Sequence, residues 1–437
     1  MEPVIVGALG VVLLLILLGL GVHIGIALLV VGIGGMVAMG IPNVVSFVGS
    51  GTFVFTWVFE YVALPLFILM GVFAFRAGIA DSAYDALYKW VQRLPGSLAI
   101  ATTFGCAAFG AVSGSSMATS AVFGKVSLPE MTKHKYAKSL SLGSVAASGT
   151  FACMIPPSTL FIIYAIFTEQ SIGRLFMAGI IPGLITAVVY AASIVIRVKR
   201  NPALAPIPEK EESFSWKEKV ASTKGLVPIA SLAIVVLGGI FVGLFTVSEG
   251  AAVGCVGALA IGLLNQGRAF EIRESLRETA HMTAMVFLII IGALFFARFL
   301  AMSTVPVYLS ELLLGLPLPR EIVILAIFAL FFVLGMLVVP SGIMAMTLPV
   351  VFPIVLELGY DPIWFGVIVM KASEIAAVTP PVGLNVYVLK GVFGGAATLE
   401  EIFTGIWPFV VCDIVVLGFL IAFPQICLWL PNMMTGG

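Results

Sequence analysis

Apolar runs fill almost the whole chain, and the breaks between them are short clusters of Gly, Ser and Pro rather than charged loops. Residues 4–22 and 24–39 read as two spans joined by little more than Gly21-Val22-His23, an antiparallel pair with His23 as a structural turn residue. A third span runs from about Phe59 to Phe75 and is closed by Arg76. From Asp81 to Arg93 the pattern changes. Ala83, Leu87, Trp90 and Val91 fall on one side of a helix and Asp81, Asp85, Lys89 and Gln92 elsewhere, so this helix is expected to lie along the membrane interface. Between Gly96 and Val112 there are too few residues for a comfortable crossing. From Met117 the chain returns to Pro129 and the basic run Lys133-His134-Lys135, which predicts a re-entrant hairpin at 96–130. A span at 139–168 is broken near Gly149 and Pro156-Pro157, and one at 177–196 is continuous. After the hydrophilic stretch 197–224, the second half gives spans at 226–246, 249–265 and 279–302 and a short segment from Ser303 to Pro319. It then gives a hairpin at 321–357, a broken span at 362–395 and a last span at 405–430.

The breaks recur in register. Val112-Ser113-Gly114-Ser115-Ser116-Met117-Ala118 is echoed by Val339-Pro340-Ser341-Gly342-Ile343-Met344. Ile155-Pro156-Pro157-Ser158 is echoed by Thr379-Pro380-Pro381-Val382-Gly383, and Ala178-Gly179-Ile180-Ile181-Pro182 by Thr404-Gly405-Ile406-Trp407-Pro408. The mates lie 228, 224 and 226 positions apart, one shared period, so the chain divides into a first repeat (1–196), a linker (197–224) and a second repeat (225–437). An unpaired backbone group at membrane depth is costly, so such clusters survive only where protein or a water-filled cavity surrounds them. Paired interruptions in two halves point to a transporter's central binding site. The expected fold is an all-α polytopic membrane protein of two inverted repeats, each with a re-entrant helical hairpin and a broken helix.

Composition agrees: 61% of residues are hydrophobic and 10% charged, against roughly 45–50% and 25% in soluble domains. The length leaves room for some twelve passages at about 20 residues each. Net charge is zero and gives no hint of nucleic-acid binding. If the linker is cytoplasmic, 18 of the 22 basic residues fall on that side, as the positive-inside rule requires. Both termini then lie outside, and the two hairpins enter from opposite faces. The five cysteines, Cys106, Cys153, Cys255, Cys412 and Cys427, all sit in apolar segments without C-x-x-C spacing, which argues against disulfides and metal and for packing. Met1-Glu2-Pro3 lacks the basic residues of a signal peptide, so the first run is read as a retained helix.

Two hairpins meeting two broken helices bring hydroxyls, freed carbonyls and half-helix ends together. Carbonyls suit a hard cation such as Na⁺, and half-helix N-termini suit a carboxylate. Ser113, Ser115, Ser116, Arg298, Ser341 and Asn385 are the candidate substrate ligands. Ser113, Ser116, Gly149 and Pro156 in one half, and Gly335, Gly342, Thr379 and Gly383 in the other, are the candidate Na⁺ ligands. Arg298 is included because an arginine in the wholly apolar Gly292–Leu300 segment is costly and its fork matches a carboxylate, the alternative being that it snorkels to the interface. Lys371 and Glu374, three apart, read as a structural ion pair, and Asp413 as a cap on a neighbouring helix or a proton relay. Ser113-Gly114 also resembles the serine of an intramembrane hydrolase. The three histidines that could serve as its base, His23, His134 and His281, fall near membrane boundaries, so no enzyme is expected.

The Ser113-Gly-Ser-Ser-Met-Ala, Ile155-Pro-Pro-Ser, Ala178-Gly-Ile-Ile-Pro-Gly and Thr379-Pro-Pro-Val-Gly-Leu-Asn segments span both halves. With them the whole chain resembles the large membrane subunit of tripartite ATP-independent periplasmic (TRAP) transporters. The resemblance implies an elevator-type fold of the ion transporter superfamily in the bacterial inner membrane. It implies Na⁺-coupled uptake of an organic acid delivered by a periplasmic substrate-binding protein, and a small membrane subunit as a further partner. Because the chain starts directly at Met1-Glu2-Pro3-Val4, that small subunit is expected as a separate chain. The hairpins and broken helices would move against a scaffold of the spans at 4–39 and 226–265. Sialic acid, C4-dicarboxylates and other carboxylates all remain open as cargo, and a stand-alone Na⁺/anion symporter of the same architecture is the alternative.

Overall fold

The computed structural model describes residues 2–206, 214–315, 319–381, 383–393 and 397–434. Linker residues 207–213 and Val382 of the second proline motif lie outside the described residues. Among the described residues every regular element is a helix. The first half comprises α1 (Pro3–Gly19), α2 (Ile24–Ala38), α3 (Val44–Thr56), α4 (Ala63–Arg76) and α5 (Ile79–Val91). It continues with the hairpin arms α6 (Ser97–Ser113) and α7 (Ser116–Lys133), the broken helix α8 (Lys138–Ser148), α9 (Phe151–Met154) and α10 (Thr159–Thr168), and then α11 (Ile172–Arg200).

The second half has α12 (Trp216–Phe241), α13 (Val247–Gln266), α14 (Ile272–Met302) and α15 (Val305–Gly315). Its hairpin is α16 (Arg320–Gly335) and α17 (Pro340–Glu357), its broken helix α18 (Pro362–Val378) and α19 (Leu384–Phe393), and its last long helix α20 (Leu399–Ala422).

From α5 onward, apart from the short α9, the order of elements is the same in both halves. Helix starts pair as Ile79 with Val305 (226 apart), Ser97 with Arg320 (223), Ser116 with Pro340 (224), Lys138 with Pro362 (224) and Ile172 with Leu399 (227). The packing is paired as well: α2 lies on α14 and α13 on α4, while α7 lies on α19 and α17 on α10. Each hairpin's returning arm therefore packs on the far part of the other half's broken helix.

Several expected boundaries move. Among the described residues seven helices are long and apolar enough to cross a membrane, or eight if the pair Lys138–Met154 and Thr159–Thr168, bent by 42°, counts as one span. Helices α1, α2, α6 and α19 are shorter apolar helices. Helix α3 was not expected at all. Its Ser and Thr dilute the apolar run, but in the fold Ser50, Thr52 and Thr56 turn their hydroxyls back to carbonyls one turn earlier, so the helix tolerates them. The linker is largely helical at its edges: α11 runs on to Arg200, and α12 starts at Trp216 behind a Ser215/Glu218 capping box. The last span starts at Leu399 behind a Thr398/Glu401 capping box and stops at Ala422 rather than continuing to 430. His23 takes the expected turn role, accepting the Gly25 N–H at 3.3 Å as N-cap of α2.

Two landmarks have a packing reason. A Cβ on Gly179 would lie 2.2 Å from the Met154 carbonyl, and one on its mate Gly405 would lie 2.1 Å from the Ser139 carbonyl. Both long helices, α11 of the first half and α20 of the second, press their backbones onto the broken helix of the first half, the close packing that helps helices associate in lipid. All five cysteines are free, as packing residues would be.

Candidate transport site

A cavity of about 470 Å³ opens where both hairpins meet both broken helices. One hairpin lines it with Ser113 to Ala118 and the other with Val339, Pro340 and Ser341. The broken helices supply Cys153, Thr159, Leu160 and Ile163 in one half and Ala377, Leu384, Asn385 and Val388 in the other. The remaining wall is Ile68, Gly71, Val72 and Phe75 of α4 with Glu278, Met282 and Val286 of α14.

Four helices begin at this cavity. Ser116 starts α7, Thr159 starts α10, Pro340 starts α17 and Leu384 starts α19, and all four residues line it. Each N-terminus carries about half a positive charge and unshared N–H groups, so their convergence favours an anion. Among the described residues no Lys, Arg or His lines the cavity; the helix ends supply positive potential there.

The tips are built by local chemistry. Gly114 takes the left-handed conformation, φ +59°, that lets the chain reverse between α6 and α7, and a Cβ there would meet the Pro157 carbonyl at 2.8 Å. Its own carbonyl accepts the Thr159 hydroxyl at 3.1 Å, tying hairpin to break. Ser115 caps α7 by accepting the Ala118 N–H. Ser113 Oγ shares a 2.8 Å hydrogen bond with Thr119 Oγ1. Ser116 donates to Asn385 Oδ1 at 2.9 Å, and the fully buried Asn385 donates to the Ala146 carbonyl at 3.2 Å. One amide thus joins α19 of the second half to α7 and α8 of the first. Both double prolines, Pro156-Pro157 and Pro380-Pro381, are cis.

The chain matches the family described as "Tripartite ATP-independent periplasmic transporter, DctM component" over residues 11–426. The chain belongs to this family. It is 34% identical to the C4-dicarboxylate TRAP transporter large permease protein DctM of Pseudomonas aeruginosa over 378 residues, 86% of each chain. It is 31% identical to the sialic acid TRAP transporter large permease protein SiaM of Vibrio cholerae, over 86% of this chain and 87% of that one. The fold is similar to that of the YdaH transporter of Alcanivorax borkumensis, with TM-score 0.61 and 14% identity over 98% of this chain and all of the other. This DctM-family chain is a multi-pass membrane permease subunit, placed in the inner membrane in bacteria. Its family works with a substrate-binding protein and a small membrane subunit.

Against this DctM frame, Ser113, Ser115, Ser116, Ser341 and Asn385 come together around the cavity. Arg298 does not. It lies twelve residues beyond Val286 on α14, about 18 Å along the axis at 1.5 Å per residue. Its side chain is exposed, with the guanidinium over the Phe47 ring at 5.4 Å. Gly149 and Pro156 lie in the first break and Thr379 at the second, where its hydroxyl bonds back to the Ile375 carbonyl. Gly335 packs on Ala376 and Gly342 on Ile24 of α2, so both serve close approach, while Gly383, φ +57°, opens α19.

Residues not foreseen complete the site. Ser120 Oγ is buried, has no hydrogen-bond partner among the described residues and faces Gly149, where a Cβ would touch it. Thr159 and Glu278, unlike Ser120, line the cavity itself, and Glu278 is paired with Arg76 at 3.0 Å. Thr159 follows Pro-Pro-Ser directly and was within reach of the motif. Glu278 could be placed only by the fold. Asp413 does not cap a helix. It accepts from Lys371 Nζ at 2.6 Å and from the Tyr190 hydroxyl at 2.6 Å, while Lys371 also makes the expected pair with Glu374 at 2.8 Å.

Proposed function

We propose that the cavity binds a small organic acid and that the chain moves it inward by Na⁺-coupled elevator transport, receiving it from a substrate-binding protein. The observation that carries this reading is the meeting of four helix N-termini and five polar side chains, Ser113, Ser115, Ser116, Ser341 and Asn385, around a space of about 470 Å³. A carboxylate needs donors and positive potential, and helix ends supply both without a buried cation.

Oxygen atoms at the hairpin tips and breaks would supply the Na⁺ ligands: Ser113, Ser116, Gly149, Pro156 and Ser120, whose hydroxyl has no partner among the described residues, in the first half, and Thr379 and Gly383 in the second. Such sets suit Na⁺, which binds carbonyl and hydroxyl oxygen at unwound helix ends. The moving block would be the hairpins and broken helices, with the linker cytoplasmic, both termini outside and the hairpins inverted with respect to each other. The cargo classes named for the relatives, C4-dicarboxylate and sialic acid, are the first to test.

The experiment is uptake into proteoliposomes holding the chain and its small subunit, with the binding protein outside. Uptake is expected only with the binding protein and inward Na⁺ gradient, and is expected to vanish in K⁺ or Li⁺. Import of free substrate at low concentration by the chain alone would instead make it a stand-alone symporter.

A further inference from the structure

Beside the cavity lies a charged cluster that transport does not explain. Lys371 on α18, Glu374 one turn on and Asp413 on α20 are 0%, 0% and 1% exposed. Lys371 Nζ donates to Glu374 Oε2 at 2.8 Å, to Asp413 Oδ1 at 2.6 Å and to Thr186 Oγ1 at 3.1 Å, which uses its three hydrogens. Tyr190 of α11 donates to the other Asp413 oxygen at 2.6 Å. Asp413 therefore has a donor on each oxygen. Glu374 has only the lysine, and its Oε1, buried, has no hydrogen-bond partner among the described residues.

Charge counting then decides the state of the cluster. One ammonium and two carboxylates, all ionised, would leave a net negative charge in a place water does not reach. A buried charge without a partner is far more costly than a buried neutral acid, and a protein removes that cost by taking up a proton. Among the described residues, the groups that face Glu374 offer no other compensation. Lys371 and Asp413 are the charges acting on it, Tyr190 and Thr186 come from α11, and Cys153 of α9 stands beside it. Asp413, with two donors, is the better-solvated anion.

We propose that Glu374 is a proton-binding site, held as the neutral acid while Asp413 balances Lys371. The site lies behind the wall of the cavity: Cys153, beside Glu374, and Ala377, one turn along α18, line that space, and Glu374 does not.

The test is infrared spectroscopy of the whole protein in lipid nanodiscs at neutral pH. A carbonyl stretch from a protonated carboxyl group is expected, shifting when glutamate but not aspartate carries carbon-13. Glu374 is the only buried glutamate among the described residues, so the band has one source there. It is expected to disappear in Glu374→Gln, which keeps the wild-type unfolding temperature because an amide of the same shape replaces a neutral acid. No band, a band that follows labelled aspartate, or a band that survives in Glu374→Gln overturns the proposal. The labelling arm uses the unaltered sequence, so it stands even if the variant fails to fold. Neither arm reads transport, so a failed uptake experiment leaves this result untouched.

Discussion

Asn385 makes helices from both halves depend on one side chain. Truncation in Asn385→Ala leaves the Ser116 hydroxyl and the Ala146 carbonyl without their partner. The stranded buried carbonyl costs about 1–3 kcal/mol, so the unfolding temperature is expected to fall, and loss of an amide that lines the cavity is expected to lower uptake about tenfold, the equivalent of ~1.4 kcal/mol of site contact. Arg298→Ala is the contrasting case. Its ring contact is worth about 0.5–1 kcal/mol at an exposed position, and the cavity lies elsewhere on α14, so uptake should persist; loss of uptake would return an anion role to Arg298. The apolar surroundings of Arg298 in the sequence mark a cation in the membrane but give neither its depth relative to the cavity nor the side of α14 it faces. Lys371 and Glu374 were legible as a pair because three residues on one helix set the distance. Asp413, 42 positions away, was not, because pairing across helices leaves no spacing to read. Lys371→Met strands Asp413 in the interior and should cost about 3–5 kcal/mol. Adding Asp413→Asn should recover much of that loss if Glu374 is neutral, and little if it is ionised, as thermal unfolding of the double variant would show.

At the scale of elements, glycine decides which helices lock together. Gly143 of α8 and Gly405 of α20 meet backbone to backbone: a Cβ on Gly143 would lie 2.1 Å from the Gly405 carbonyl. Neither neighbour is a flexible side chain that could step aside. Gly405→Ala should therefore destabilise by about 1–3 kcal/mol or more, the usual cost of overpacking. Gly34 of α2 has nothing within 4 Å, so Gly34→Ala should be neutral or stabilise by about 0.5–1 kcal/mol. A smaller effect at Gly405 than at Gly34 would refute the packing account. Hairpins and broken helices were legible because Gly and Pro clusters leave a mark wherever they interrupt an apolar run. Helix α3 was hidden for the converse reason. Its second-half counterpart is the first part of the unbroken α14, so the interruption at Trp57-Val58 that separates α3 from α4 has no mate to point to it.

For the whole molecule, the question is what moves against what. The hairpin block touches α4 where a Cβ on Gly71 would lie 2.5 Å from the Ser113 carbonyl, and touches α2 where one on Gly342 would lie 2.4 Å from Ile24. Helix α4 is packed on α13 and α2 on α14, so these contacts lie on the seam between the block and its surroundings. If the block slides as an elevator, both contacts must break in every cycle. A cysteine pair at Ile24 and Gly342, closed by a short thiol-reactive bridge, should then abolish uptake, with reduction of a cleavable bridge restoring it. The smaller side chain at position 24 also makes room for the new one at 342. A second pair serves as the control. Lys138 of α8 and Glu401 of α20 face each other at 3.4 Å, and the Gly143–Gly405 contact holds those two helices too closely for relative motion. Bridging cysteines at Lys138 and Glu401 should leave uptake intact, because both ends travel together. Uptake that survives complete bridging of Ile24 to Gly342 would mean that the second hairpin stays fixed on α2, and the cavity would then have to open by movement of its tips alone.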